Sequence, residues 1–318
     1  MPDIHSFLPA GFPLTSPAHV RPLLRPLPLV YGVPADMLHL EQIHPLLSGN
    51  KAFKLKGHLQ RFADSGRRCL LSFGGPYSNH LHALAACGHL TGIPVVLVVR
   101  GYASVPLTPT LQDCSGWGAQ LVFVDKHQYA RRYDAGWQAQ LACEFDALVI
   151  PEGGSGADGE WGCRDLAPLC AEYDEVWLAV GSGATAKGIA AGLAAGKNRC
   201  RLVGVNAVAD QGERLREWQQ SMPAGVDWRL LDNAHCGGFA RTDEALLQLI
   251  RRWDNNGLLL DPVYTGKMML AFERALAGGE LTDRRVLLLH SGGLQGRRGV
   301  KALSADGREC LQPATDPA

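Results

Sequence analysis

Lys51 is the residue whose type and surroundings point most directly to chemistry. It lies in the run Ser-Gly-Asn-Lys-Ala-Phe-Lys-Leu, residues 48–55. A lysine amine can attack a carbonyl carbon and form a Schiff base when its surroundings favour the uncharged form. Most lysines are instead solvated surface charges, so the assignment depends on the rest of the chain. Several turns rich in glycine and hydroxyl residues lie downstream, each after an apolar run, and they give Lys51 candidate partners in a binding site.

The strongest of these turns has the sequence Gly-Ser-Gly-Ala-Thr-Ala, residues 181–186, between an apolar run and a run of small residues with helical spacing. The first N–H groups of a helix are unpaired and bind anions. The glycines let the backbone close around a phosphate, and the serine and threonine add hydroxyl donors. The same pattern, with Asp210 beyond the next predicted strand, approximates a dinucleotide fingerprint. On its own, the loop is therefore an ordinary tight turn, a phosphate cradle or part of a nicotinamide-dinucleotide site.

Three more turns repeat the arrangement: Gly-Gly-Pro-Tyr-Ser-Asn-His at 74–80, Gly-Gly-Ser-Gly at 153–156 and Ser-Gly-Gly at 291–293. Serine and asparagine at a helix start are ordinary caps. The carboxyl ends of strands are also where open α/β sheets bind ligands, so four such loops predict one concentrated polar site. A Schiff-base lysine together with a phosphate cradle is what a pyridoxal-phosphate enzyme requires.

The elements that must position these loops alternate along the chain. Strands are predicted at 69–73, 95–99, 120–124, 147–150, 176–180, 201–206 and 286–290. Helices are predicted at 79–90, 108–117, 129–143, 185–195, 213–220, 243–255 and 267–277. This order predicts parallel sheet covered by helices on both faces. The 318 residues suit two domains, and the proline-rich first 35 residues predict an extended arm or a strand added to a neighbouring sheet.

Composition excludes several other classes of protein. Lys+Arg and Asp+Glu both number 31, which argues against a nucleic-acid partner. No apolar run approaches the roughly 18 residues of a membrane helix, and the N-terminus lacks the order of a signal peptide. The nine cysteines are odd in number and lack metal-site spacing, so we expect reduced thiols, no metal and a cytoplasmic location.

Taken together, the motifs resemble the family of 1-aminocyclopropane-1-carboxylate deaminase and D-cysteine desulfhydrase, which are pyridoxal-phosphate enzymes. The motifs occur in family order as Ser-Gly-Asn-Lys at 48–51, Gly-Gly-Pro-Tyr-Ser-Asn-His at 74–80, Pro-Glu-Gly-Gly-Ser at 151–155, Val-Gly-Ser-Gly-Ala-Thr-Ala at 180–186, Leu-Asp-Pro-Val-Tyr-Thr-Gly-Lys at 260–267 and His-Ser-Gly-Gly at 290–293. Because six motifs in family order are far more specific than the single loop at 181–186, they argue against a nicotinamide-dinucleotide site there.

The resemblance implies an α/β architecture, the two-domain open parallel-sheet fold of the tryptophan synthase β-subunit (fold type II). Residues 1–55 and 163–318 would form the larger, cofactor-binding domain, and residues 56–162 the smaller one. The active site would lie in the cleft between them. The family also suggests a homodimer that acts on a small amino acid.

Residue roles follow from the same resemblance. Lys51 would carry pyridoxal 5'-phosphate and move protons at the substrate, Ser78 would assist proton transfer, and Tyr264 would lie beside the cofactor ring. The other cofactor contacts would come from Asn79, Gly181, Ser182, Gly183, Ala184, Thr185 and Ser291. Substrate contacts would come from Ser78, Asn79, His80, Gly154, Phe239 and Tyr264.

Departures from the family pattern bear on the substrate. Deaminase members carry glutamate after the motif tyrosine and leucine in the final loop, whereas this chain has Thr265 and Ser291, as in the desulfhydrase pattern. A carboxylate near the ring nitrogen would favour its protonation, while a serine hydroxyl would leave a weaker electron sink, suited to losing a good leaving group. Phe239 also replaces a second family tyrosine.

D-Cysteine is therefore the favoured substrate, giving pyruvate, ammonia and sulfide. Two alternatives remain open from the sequence. The first is a 1-aminocyclopropane-1-carboxylate deaminase that gives 2-oxobutanoate and ammonia. The second is a non-catalytic protein that binds pyridoxal phosphate or an amino acid.

Overall fold

The computed structural model describes residues 15–27, 35–281 and 284–304, which form two parallel sheets with helices packed against them. The strands are β1 Leu24–Pro26, β2 Ala35–His39, β3 Cys69–Gly74, β4 Val95–Arg100, β5 Gln120–Val124, β6 Ala147–Ile150, β7 Glu175–Val180, β8 Arg201–Asn206, β9 Trp228–Leu231 and β10 Val286–His290. The helices are α1 Pro17–Val20, α2 Asn50–Ser65, α3 Asn79–Thr91, α4 Pro109–Gly116, α5 Lys126–Ala130, α6 Ala135–Glu144, α7 Ala157–Cys163, α8 Ala167–Cys170, α9 Ala184–Ala195, α10 Glu213–Ser221, α11 Glu244–Asn255, α12 Thr265–Ala277 and α13 Lys301–Ser304.

The larger sheet has six strands in the order β1-β2-β10-β7-β8-β9. All neighbours pair in parallel except β1, which runs antiparallel to β2. The pairing of β2 with β10 brings His39 opposite His290, although some 250 residues separate them in sequence. This pairing places the segment after β2, which leads into α2, beside the loop that follows β10.

The smaller sheet has four parallel strands in the order β5-β4-β3-β6. Its two central strands are apolar except for Ser72 and the terminal Arg100, and every residue of β3 is buried. Continuous apolar strands of this kind are expected when helices cover both faces of a parallel sheet. The carboxyl ends of β3 and β6 lie side by side, so the loops after them share one edge.

One apolar cluster joins the two sheets. It contains Leu178 of the larger sheet, Leu70 and Leu97 of the smaller sheet, and Phe53 of α2. Helix α2 also packs along α7 and α9. The helix that bears Lys51 is therefore anchored in a core shared by both sheets.

The predicted strands and most predicted helices are confirmed to within one or two residues. The single helix predicted at 129–143 was wrong, because Asp134 caps a new helix there by accepting the backbone N–H of Trp137. Helix α2 and strands β2 and β9 were not predicted. Within the proline-rich arm, Leu24–Pro26 is a strand of the larger sheet, while residues 1–14 and 28–34 lie outside the described ranges.

The parallel-sheet architecture is confirmed, and the domain boundaries stay a prediction. All four strands of the smaller sheet lie between residues 69 and 150. The expected boundary after residue 55 falls within α2, and the one after residue 162 falls at the end of α7, and these two helices pack on each other.

No helix in the described part of the chain is long and apolar enough to cross a membrane. The same residues contain no cluster of histidine, cysteine and carboxylate side chains that could hold a metal. Eight cysteines are free thiols, most of them buried, and Cys310 lies outside the described ranges.

Candidate active site

A single pocket gathers the loops that follow the carboxyl ends of β3, β6, β7 and β10, together with the first turns of α2. Its lining includes eight of the residues predicted from the sequence: Lys51, Asn79, Gly181, Ser182, Gly183, Thr185, Tyr264 and Ser291. It also includes residues to which the sequence analysis assigned no role in the site: Leu46, Ser48, Asn50, Lys54, His82, Ala83, Gly153, Ala179, Val180, Ala186, Gly293 and Gln295. The predicted residues that line the pocket thus converge from the ends of three strands, β3, β7 and β10, and from the starts of α2 and α12.

Lys51 lies in the first turn of α2, and Gly49 fixes where that helix begins. Gly49 precedes the helix with φ of 75°, a conformation that L side chains rarely adopt. A Cβ at this position would overlap the main-chain carbonyl of Ser291. The N–H of Asn50 donates to that same carbonyl oxygen at 3.1 Å, so the Ser291 loop and the start of α2 hold each other in place.

Lys51 is partly buried, and its Nζ donates to Oδ1 of Asn50 at 3.2 Å. The Asn50 amide in turn donates to Oγ1 of Thr185 at 2.9 Å. Burial holds the pKa of Lys51 well below its ordinary value, and the nearby charge of Lys54 lowers it further. This environment favours the uncharged amine that attack on a carbonyl requires.

The uncharged form of Lys51 should therefore appear at lower pH than in a free lysine. We expect competitive acetylation of the cofactor-free protein, read out by peptide mass spectrometry, to give Lys51 a midpoint well below the ordinary 10.5. The pKa of Lys51 is lowered because burial and the like charge of Lys54 both disfavour the ammonium form. Exposed Lys126 provides an internal reference in each digest. A Lys51 midpoint at or above 10.5 would contradict the electrostatic environment described.

Lys54, one helical turn beyond Lys51, is the main site residue that sequence reasoning missed. Its side chain is buried, and its Nζ donates to the carbonyl of Gly153 at 3.1 Å and to Oγ of Ser182 at 3.0 Å. Residues three apart share one face of a helix, so the spacing of the two lysines was a usable signal once 50–65 was known to be helical.

The start of α9 forms the anion-binding end of the pocket. Gly183 precedes the helix, and the Gly181–Ser182 backbone faces the pocket ahead of it. A Cβ on Gly181 would lie 2.9 Å from the ring of Tyr264, so only glycine leaves room there. The unpaired helix N–H groups and the Lys54 ammonium combine into a site for a dianion.

The opposite wall is formed by Asn79, Ser291 and Gln295. The Gln295 side chain donates to Oδ1 of Asn79 at 3.0 Å, which turns the Asn79 amide NH₂ away from Gln295. Asn79 is the first residue of α3, and His82 and Ala83 lie on the same face of that helix. Burial raises the pKa of Tyr264, so its phenol stays neutral.

Five residues predicted for the site do not line the pocket. Ser78 caps α3 by accepting the N–H of Leu81, and the ring of buried His80 lies 2.8 Å from Oγ of Ser72. Burial lowers the pKa of His80 well below its ordinary value.

The remaining three flank the pocket. Gly154 packs against the His80 ring, and Ala184 is the buried first residue of α9. Phe239 is exposed, with its ring centroid 6.1 Å from that of Tyr264. The roles of all five stay predictions.

The residues present fit pyridoxal phosphate. A buried lysine with a lowered pKa can carry the aldehyde carbon, and the α9 start with Lys54 matches the phosphate. Lys51 and Lys54 line the pocket, and none of its lining residues in the described ranges is an aspartate or glutamate, so no lining carboxylate opposes an anionic ligand. Parallel sheets, a buried lysine and a phosphate cradle define a fold type II pyridoxal-phosphate enzyme.

Comparison with known proteins gives the family. A family model described as "Pyridoxal-phosphate dependent enzyme" matches residues 21–292, and the chain belongs to that family. A putative 1-aminocyclopropane-1-carboxylate deaminase of Thermotoga maritima is 27% identical over 270 residues, covering 78% of this chain and 85% of the relative. A D-cysteine desulfhydrase of Salmonella choleraesuis is 29% identical over 275 residues, covering 78% and 83%.

A bifunctional D-cysteine desulfhydrase and 1-aminocyclopropane-1-carboxylate deaminase of Arabidopsis thaliana is 26% identical over 280 residues, covering 79% of this chain and 70% of the relative. Among solved structures, a homologue of 1-aminocyclopropane-1-carboxylate deaminase superimposes with a TM-score of 0.78 at 22% identity, covering 96% of this chain and 99% of that one. The cysteine synthase of Entamoeba histolytica gives 0.63 at 15% identity, covering 92% and 87%. The family, fold and cofactor expected from the sequence are confirmed.

Proposed function

We propose that this enzyme is a lyase that eliminates the β-substituent of a small amino acid, with D-cysteine as the favoured substrate. The observation that carries the proposal is the absence of a carboxylate among the described residues that line the pocket. The loop after β10 contributes Ser291, Gly293 and Gln295 to that lining, and none of them carries a charge. A hydroxyl leaves a pyridine nitrogen less protonated than a carboxylate would, which suits loss of a good leaving group.

Thr265 also supports D-cysteine over 1-aminocyclopropane-1-carboxylate as the substrate. It stands where the deaminase pattern has glutamate, but it is fully buried and does not line the pocket. Its N–H donates to Oδ2 of Asp261 at 2.8 Å, and the other oxygen of Asp261 accepts the N–H groups of Val263 and Tyr264. The nearby carboxylate is thus occupied by backbone donors at the start of α12.

The residues of the pocket have separable tasks in this proposal. Pyridoxal phosphate, when bound, supplies an electrophilic carbon and an electron-withdrawing ring. Lys51 carries it and, as a free amine, accepts the proton from the substrate α-carbon. Lys54 and the start of α9 bind the phosphate, and Asn79, oriented by Gln295, donates to the ring oxygen. Loss of the β-substituent followed by hydrolysis would give pyruvate, ammonia and sulfide.

The visible absorption spectrum and a product assay test the proposal together. We expect a yellow band in the purified protein that shifts when D-cysteine is added, with pyruvate and sulfide formed. 1-Aminocyclopropane-1-carboxylate, added in parallel, should give no 2-oxobutanoate. Formation of 2-oxobutanoate instead of pyruvate would establish the deaminase alternative. A band with no product from either substrate would favour the non-catalytic alternative.

Two further expectations belong to this proposal. The first is a homodimer, which light scattering of the purified protein tests directly. The second is a cytoplasmic location, which fractionation of the source cells tests. Neither is required by the chemistry of the pocket.

A further inference from the structure

Lys267 is a buried charged residue to which the proposed reaction gives no task. It lies in the first turn of α12 and its side chain is fully buried. Its Nζ donates to two main-chain carbonyls, that of Gly238 at 2.7 Å and that of Ala207 at 3.0 Å. An ammonium is costly to bury unless hydrogen bonds replace its hydration. The two carbonyls therefore define what Lys267 does in the fold.

The two carbonyls belong to separate segments. Ala207 directly follows β8, and Gly238 lies in the loop of residues 236–240, between β9 and α11. Lys267 thus ties this loop to the end of a central strand of the larger sheet. Its own place on α12 connects both to the helix that Tyr264 precedes.

The 236–240 loop has an unfavourable backbone conformation. Cys236 and Ala240 have φ of 54° and 55°, and Gly237 and Gly238 have φ of 84° and 144°. Non-glycine residues adopt positive φ only when their surroundings enforce it. The Lys267 hydrogen bond to Gly238, at the centre of the loop, is positioned to supply that constraint.

The loop places Phe239 beside Tyr264, at the margin of the pocket. The side chain is 56% exposed, and its ring meets that of Tyr264 edge-on, at 62° between planes. Tyr264 lines the pocket, so exposed Phe239 flanks the pocket beside that residue. A ring in this position restricts the size of the group that can enter beside Tyr264.

We infer that Lys267 is a positioning residue that holds the 236–240 loop so that Phe239 lies against Tyr264 and limits the β-substituent the enzyme accepts. The claim about the substrate rests on the proposed function. The claim about the loop does not, and the two are tested separately.

Trypsin tests the loop without substrate or cofactor. Arg241 is exposed and directly follows the loop, so cleavage after it reports how often the loop opens. We expect Lys267→Met to raise the cleavage rate at Arg241 about tenfold, while cleavage at exposed Arg131 is unchanged. Lys56→Met is the matched control. It also removes a lysine ammonium, but Lys56 lies in α2 and pairs with Asp165 rather than with the 236–240 loop. An unchanged rate at Arg241 would overturn the inference.

Kinetics test the effect on the substrate. If Lys267 acts through Phe239, Lys267→Met and Phe239→Ala should each raise kcat/KM for a D-cysteine carrying a larger S-alkyl group, relative to kcat/KM for D-cysteine, about tenfold. The double variant should resemble either single variant, because the two changes remove one interaction. Additive effects, or a fall in kcat alone, would overturn the assignment.

The two tests also separate the inference from the proposed function. A protein that turns over no amino acid defeats the proposed function, while the trypsin comparison still decides whether Lys267 holds the loop. If Lys267→Met does not fold, Lys267→Gln keeps an N–H donor and should give intermediate cleavage at Arg241. Cleavage equal to wild type in that folded variant would count against a role for the charge.

Discussion

Lys51→Ala is expected to abolish turnover, with a loss in kcat of at least about 10⁴-fold. In the proposed function, the substitution removes both the amine that would carry the cofactor and the base that would accept the α-proton. The yellow band of the bound cofactor should disappear or move, because the covalent bond to the protein is lost. Stopped assays for pyruvate and the absorption spectrum of the same preparation measure both effects.

The control for this experiment lies on the same helix. Lys56 belongs to α2 but does not line the pocket, and its ammonium pairs with Asp165. Lys56→Ala should retain the band and most of the activity. Full activity in Lys51→Ala would eliminate the proposed chemistry, whatever the spectrum showed.

Lys54→Met is expected to weaken pyridoxal-phosphate binding by about 10–100-fold. A hydrogen bond from a charged group contributes about 1.5–3 kcal/mol, and each 1.4 kcal/mol is about a factor of ten in affinity. Methionine keeps much of the side-chain volume, so the change removes chiefly the charge and the donor. Titrating cofactor-free protein with pyridoxal phosphate and following the visible band gives the dissociation constant.

This variant has a second expected effect, on Lys51. The charge of Lys54 helps to lower the pKa of Lys51, so its removal should raise the pH at which Lys51 becomes reactive. Lys56→Met removes an ammonium from outside the pocket. It should change neither the cofactor affinity nor the pKa of Lys51. Unaltered cofactor affinity in Lys54→Met would show that the Lys54 ammonium does not bind the cofactor phosphate.

The sequence predicts most strands well because they are short, mainly apolar runs, several of which are followed directly by glycine. The run at 95–99 is buried throughout, as expected for a strand covered on both faces. Strand β2 was harder to predict, since Ala-Asp-Met-Leu-His at 35–39 contains two polar residues. Its partner β10 is distant in sequence, and the pairing cannot be predicted from the residues near either strand.

Helix α2 shows why part of the site was missed. It begins at a glycine whose conformation depends on contact with Ser291, a residue 242 positions further along the chain. Because this helix was not predicted, there was no reason from the sequence to place Lys51 and Lys54 on one face. The loop residues 181–183 and 291–293 were found because their glycines mark strand ends, whereas Gln295 acts through a side-chain contact that no spacing rule predicts.

Ser78 and His80 lie in a predicted motif but not in the pocket lining, and their roles stay predictions. Their positions in a recognisable motif suggested that both side chains would face the ligand. The start of α3 turns Asn79 toward the pocket and His80 toward Ser72 in the core, because adjacent residues on a helix point in different directions. A motif therefore located the loop correctly without specifying which of its side chains enter the site.

The pairing of β2 with β10 has a consequence for how the chain is made. Strands β3 to β6 are complete by residue 150, so the smaller sheet can assemble while the rest of the protein is still on the ribosome. Strand β2 emerges earlier, but it must wait for β10 to be synthesised before its parallel edge is covered. The contact between Gly49 and the loop after β10 forms at the same late moment. We therefore expect the lysine to reach its position in the pocket only after β10 has been synthesised, so that cofactor capture follows the pairing of β2 with β10.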